Sequence, residues 1–274
     1  MNPTAPAEHL LDLAQQFTRH NDDLARLRVT LARHGLSGSS PATALTDHAV
    51  VTQRLANAAL DIVDVLKAQP MYLSPAIRTV YARVWQLAYL VSDSADHLLD
   101  AVNIIDDTRA GIPALTGAPP LSHEKALREA GRRVELVAEL TALGAPDAVA
   151  TAEVFVTDRR RWGAPPLHQP PSLSPTQHAA LRAVAQGEVT IADGKPHLHR
   201  DGIRLSISTI RSLESSGLVT RAPCPLLLHD ERIHLTPGGR RGLTATFGRQ
   251  QAPKPTTTRP AARPATRTAR APTR

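Results

Sequence analysis

Between Ser206 and Val219 the chain reads SISTIRSLESSGLV, and here residue type and spacing together suggest work on a partner. Ile207, Ile210 and Leu213 recur three apart, which places them on one face of a helix. Ser206, Ser208, Thr209, Arg211 and Ser212 lie off that stripe, so the outward face is small, hydroxylated and cationic. Such a face lets a polyanion come close. Gly217 stands where a left-handed cap is wanted, and Leu218-Val219-Thr220 then reads as a strand.

Other groups capable of chemistry do not assemble into a recognisable centre. His197 and His199 would share one face of a regular strand, but a metal needs a third and a fourth ligand, for which His229, Asp230 and His234 are the candidates; exposed hairpin histidines without a metal are expected instead. His20, His34, His48 and His97 sit singly on helical segments and read as polar-face residues. Asp93, Asp96, Asp100, Asp106 and Asp107, with Asp61 and Asp64, lack the Glu-x-x-His pattern of di-metal bundles and read as solvated faces. Cys224 is the single cysteine, which excludes an internal disulfide and a zinc-thiolate site; a structural thiol and a reducing compartment are expected. No glycine-rich phosphate loop, nucleophile elbow or dinucleotide fingerprint is present, so neither catalytic residue, metal nor cofactor is expected.

The elements around the hydroxylated helix extend the argument. LSPTQHAALRAVAQG supplies a helix ahead of it, and DERIHLTPGG a strand followed by Thr236-Pro237, an N-cap with proline in the first helical turn. Two strands joined by a loop and closed by a helix would make a wing. Ser174 to Gly248 thus resembles a winged helix-turn-helix DNA-binding domain, and Asp230, Arg232, Leu235, Thr236 and Gly239 are similar to the wing of MarR-type proteins. Between Gly187 and Leu205, where that family carries a short second helix, Val189 and Ile191 alternate before Asp193-Gly194. A hairpin is expected to replace or precede that helix. The resemblance implies double-stranded DNA as partner, with Ser208, Thr209, Arg211 and Ser212 at base edges in the major groove, Arg211 being the one long cation able to hold a guanine at two points, and Arg200, Arg204, Arg221, Arg232, Arg240 and Arg241 on phosphates. Asp230 and Glu231 at the wing tip would repel phosphate, so the wing is expected to support the fold rather than enter a groove.

The formal charge of +7 has a definite location. Arg249, Lys254, Arg259, Arg263, Arg267, Arg270 and Arg274 account for all of it, leaving 25 basic against 25 acidic residues in the remainder. Rich in Pro, Thr, Ala and Arg and without apolar period, residues 249–274 read as a disordered basic tail whose cations give salt-dependent, sequence-independent phosphate contact. Residues 172–248 carry only a mild excess, nine basic against six acidic, so the tail is expected to supply attraction that the module lacks.

Upstream, 274 residues with 42% hydrophobic and 3% aromatic content suit a core of Leu, Val, Ile and Ala between helices. Leu10, Leu13, Phe17, Leu24, Leu27 and Leu31 predict a helix over 7–34, and Val50, Val51, Leu55, Ala59, Ile62, Val63 and Leu66 a second over 46–69. Ser74-Pro75 opens a third to about Asp106; its wide apolar coverage, including Trp85, Leu99 and two tyrosines, suits both a core and a second copy. Ser122 caps a fourth, to Leu143, and Asp147–Arg161 forms a fifth after the separator Gly144-Ala145-Pro146. The expected fold is mainly α: an antiparallel helical bundle over 7–162, a proline-rich linker over 163–171, a small α+β winged-helix domain over 172–248, then the tail. Arginine in place of lysine suits a GC-rich bacterial genome, and no leader or membrane span is read, so a cytoplasmic, nucleoid-associated protein is expected. The functional expectation is a DNA-binding transcriptional regulator, dimeric through its bundle, with any effector unknown. The alternatives are a DNA-associated protein of plasmid or chromosome maintenance and a protein-interaction adaptor.

Overall fold

A computed structural model describes residues 6–34, 40–69, 73–113, 119–165, 167–198, 205–224 and 230–249. The described chain is mainly α, a bundle of long helices followed by a small antiparallel sheet with helices of its own. Helix α1 (Pro6–His34) buries all six apolar residues that mark its stripe, from Leu10 to Leu31. Helix α2 (Ser40–Lys67) starts earlier than its apolar period suggests, because a proline in the first turn forgoes an N–H that has no intrahelical partner there. Its Val50 and Val51, read as core, are exposed by 46% and 41%. Helix α3 (Pro75–Ala110) is capped by Ser74, whose Oγ accepts from the Ile77 N–H, and ends at Gly111 in the left-handed conformation.

Helices α4 (His123–Thr141) and α5 (Gly144–Arg161) are separated only by Ala142 and Leu143. Gly144-Ala145-Pro146, read as a separator, is the first turn of α5. Together these two helices form the fourth member of the bundle. One apolar cluster joins the second half of α1, the start of α2, the second half of α3 and all of α4. The other joins the opposite ends of α1, α2 and α3 to α5. That sharing fixes an up-down-up-down course. No described helix is long and apolar enough to cross a membrane.

After the proline-rich stretch come α6 (Pro175–Ala185), β1 (Val189–Ala192), β2 (Lys195–Leu198), α7 (Ile207–Ser215), β3 (Val219–Pro223), β4 (Glu231–Leu235) and α8 (Pro237–Thr244). Ser174 and Gln177 close a reciprocal capping box at the start of α6. The sheet is antiparallel in the order β2-β1-β4-β3. Asp193 and Gly194, with φ of 50° and 70°, turn β1 into β2 as a D-G hairpin should. Among the described residues between α6 and α7 there is this hairpin and no helix; residues 199–204, with Arg200 and Arg204, lie outside the described part.

Bundle and sheet module share one core. The cluster that holds Leu10, Phe17, Val84 and Phe155 continues through Leu181, Val189, Ile210, Ile233, Leu243 and Phe247. Residues 163–171 therefore join two parts that are packed together, and polar ties cross the seam. Gln15 Nε2 donates to the Leu235 carbonyl at 2.9 Å, and Arg182 pairs with Glu153 at 2.7 Å.

Candidate nucleic-acid interface

Helix α7 has its main packing partners in α6 and β3, within its own module. Ile210 and Leu213 are fully buried and Ile207 packs against the same core, as their spacing requires. Ser208, Arg211 and Ser215, at i, i+3 and i+7, are exposed along the opposite side. Ser206 caps the helix, its Oγ accepting from the Thr209 N–H at 3.2 Å and lying 2.8 and 2.9 Å from the Ser208 and Thr209 hydroxyls. Arg211 has no acidic partner among the described residues. The result is a short capped helix with one unpaired cation in the middle of its outer face.

Two of the four residues expected at base edges are therefore fully outward. Thr209 is half-buried, and Ser212 turns toward α6, where its hydroxyl accepts from Gln177 Nε2 at 2.9 Å. That bond ties the two helices and corrects the reading of Ser212 as an outward contact. Ser215, which the apolar stripe alone did not single out, takes its place on the exposed line.

The arginines expected on phosphates divide more sharply. Arg232 is 4% exposed, its guanidinium held by the Asp22 carboxylate of α1 with Nε and one NH2 each at 2.6 Å, while the other NH2 donates to the Gly187 carbonyl. It cannot reach a phosphate. Burial raises the Asp22 pKa, and the Arg232 charge pulls it back. Arg221 donates twice to Glu214, at 2.5 and 3.0 Å, and once to Glu231 at 2.9 Å; those bonds push its pKa above the ordinary arginine value. Arg240 is spent on Gln15 and Asp12 of α1, at 2.6 and 3.1 Å. Local charge-assisted bonds have taken these three. Arg241 and Arg249 are exposed, whereas Lys254, Arg259, Arg263, Arg267 and Arg270 lie with residues 250–274 outside the described part.

The acids expected at a wing tip have structural work of their own. Asp230 accepts the Asp193 backbone N–H at 2.9 Å, fastening the β1-β2 turn, and Glu231 holds Arg221. Cys224 is half-buried and unbridged, its N–H donating to the Asp230 carbonyl. His234 is buried on β4, and burial, helped by Arg19 and Arg232, lowers its pKa to about 4. His197 lies on β2, and His199 and His229 fall outside the described residues; no three or more His, Cys, Asp or Glu side chains gather to hold a metal among those described. His20 and His48, expected on polar faces, are buried in the bundle. No protein-family model, curated protein or solved structure matches the chain.

Proposed function

We propose that the protein binds double-stranded DNA through α7 and acts as a transcriptional regulator. The observation that carries this reading is the outer line of α7, Ser208, Arg211 and Ser215, exposed and facing away from a helix base locked into the core, with Arg211 lacking an acidic partner among the described residues. Small hydroxyls around one free guanidinium suit close approach to a groove, where that guanidinium gains two bonds at a guanine edge. Arg241, Arg249 and the basic residues 250–274 supply phosphate attraction, since Arg221, Arg232 and Arg240 are engaged internally. In a cytoplasmic setting this describes a nucleoid-associated regulator.

A second observation favours a protein partner for the bundle, in first place another copy of the chain. Trp85 and Tyr89 sit one turn apart on α3, their rings 6.0 Å apart and 40% and 70% exposed, with Leu99 further along the same helix. Exposed aromatics of this kind are common at interfaces. A dimer through this face would offer two α7 helices to two half-sites. The same face would serve an adaptor if no DNA is bound.

The test is duplex binding with fragments selected from genomic DNA. Arg211→Ala should weaken binding to a selected site by about 1–3 kcal/mol while leaving random duplex nearly unaffected. Removing residues 250–274 should lessen the dependence of affinity on salt, because fewer counterions are released. A short shared palindrome among recovered fragments supports the regulator; a diffuse spread favours plasmid or chromosome maintenance. An empty recovery, with both variants indistinguishable from the intact chain, leaves the adaptor.

A further inference from the structure

Where the end of α5 meets the start of α1 and the end of α8, Phe155, Val156 and Leu167 line an open cleft. Its interior is about 140 Å³, close to the size of an apolar cavity that holds one benzene-sized body and too small for a nucleotide. Two arginines stand in its wall. The Arg159 guanidinium carbon lies 5.9 Å from the centre of the Phe155 ring, and Arg160 spends one NH2 on the Ala245 carbonyl at 2.8 Å. Neither has a carboxylate partner among the described residues.

The nearby acids are already taken. Asp158 is buried and accepts from Ser74 Oγ at 2.8 Å, and Glu8 is held by His168 at 2.9 Å on the cleft's rim. Burial, and then the Arg249 charge, lower the Arg160 pKa, as expected of a cation short of compensating charge. An apolar floor beside two uncompensated guanidiniums calls for a ligand with an apolar body and one anionic end. A neutral ligand would leave the arginines as they are, and a cation would be repelled.

We propose that this cleft binds a small carboxylic acid with an apolar chain of about four to five carbons, its carboxylate between Arg159 and Arg160 and its chain over Phe155 and Val156. The site is separate from α7 and does not depend on the DNA reading. Calorimetric titration of the full chain at neutral pH with hexanoate tests it, with 1-hexanol and hexylammonium as probes of the same length. Hexanoate should bind saturably and at least about tenfold more tightly than either probe, since one charge-assisted bond is of that order. Arg159→Gln should weaken hexanoate by about tenfold or more without moving the thermal midpoint of the free protein. Val156→Trp should fill the floor and abolish binding; should it fail to fold, the arginine variant and the two probes still decide. Equal affinity for hexanoate and hexanol, an Arg159→Gln variant that binds unchanged, or no saturable heat at all would overturn the proposal.

Discussion

His20 and His48 stack inside the bundle with ring centroids 5.1 Å apart, and three of their nitrogens have no hydrogen-bond partner among the described residues. Burial lowers the His20 pKa to about 3, with the neighbouring His48 adding to the shift, and burial also lowers His48. Asp23 opposes the shift at His48, while Arg26, paired with Asp23, adds to it. Above the ordinary imidazole value of 6.5 both rings are neutral in folded and unfolded chains, and they cost nothing differential. Below it the unfolded chain takes up protons that the folded chain refuses. Stability is therefore present above about pH 6.5 and lost as pH falls toward the folded value, by about 3 kcal/mol at pH 4 for His20 alone. Urea titrations across that range should show the loss, and His20→Phe, which keeps a ring in the stack, should reduce it while His48 and His234 keep their share. The sequence placed both histidines on polar faces because each sits singly on its helix. Their meeting needs two helices, and local spacing cannot show it.

At the scale of the element, the start of α5 is pressed closely against α1. A Cβ at Gly144 would run into the ring of Phe17, which is itself 1% exposed. Gly144→Ala should therefore cost about 1–3 kcal/mol, read as a drop in the urea midpoint, because neither the buried ring nor the helix start can give way freely. Shortening the ring in the same protein, as Phe17→Leu, should recover part of that loss. The hairpin between α6 and α7 was legible from Asp193-Gly194, and α7 from a threefold apolar spacing ended by a glycine. Those signals are local and steric. The early start of α2 was less legible, since its first turn carries no apolar period and its evidence lies in proline's tolerance there. Val50 and Val51 show the same limit from the other side: an apolar residue follows the helical period, yet whether anything packs on it depends on a neighbour far along the chain.

Across the whole molecule, Asp22 and Arg232 are 210 residues apart in sequence and meet in a buried ion pair that pins β4 to α1. Asp22→Ala should destabilise by about 3–5 kcal/mol, because Arg232 would stay buried without its counter-charge. Since one apolar cluster runs from α1 into the sheet and α8, urea unfolding followed at the tryptophans and by circular dichroism should give one coincident transition. Two separated transitions would mean that bundle and module fold independently. Asp12, Gln15 and Asp22 fall on a helix whose apolar stripe was plain, but nothing adjacent to them in sequence announces the arginines they hold. By itself the sequence determined the mainly α course, the caps and turns, the hairpin, the buried stripe of α7 and the location of the net charge, because sterics, periodicity and composition act within a few residues. The tertiary structure decided which arginines remain free, which histidines are dry, and that module and bundle share a core. Those outcomes depend on desolvation and ion pairing between segments that only folding brings together.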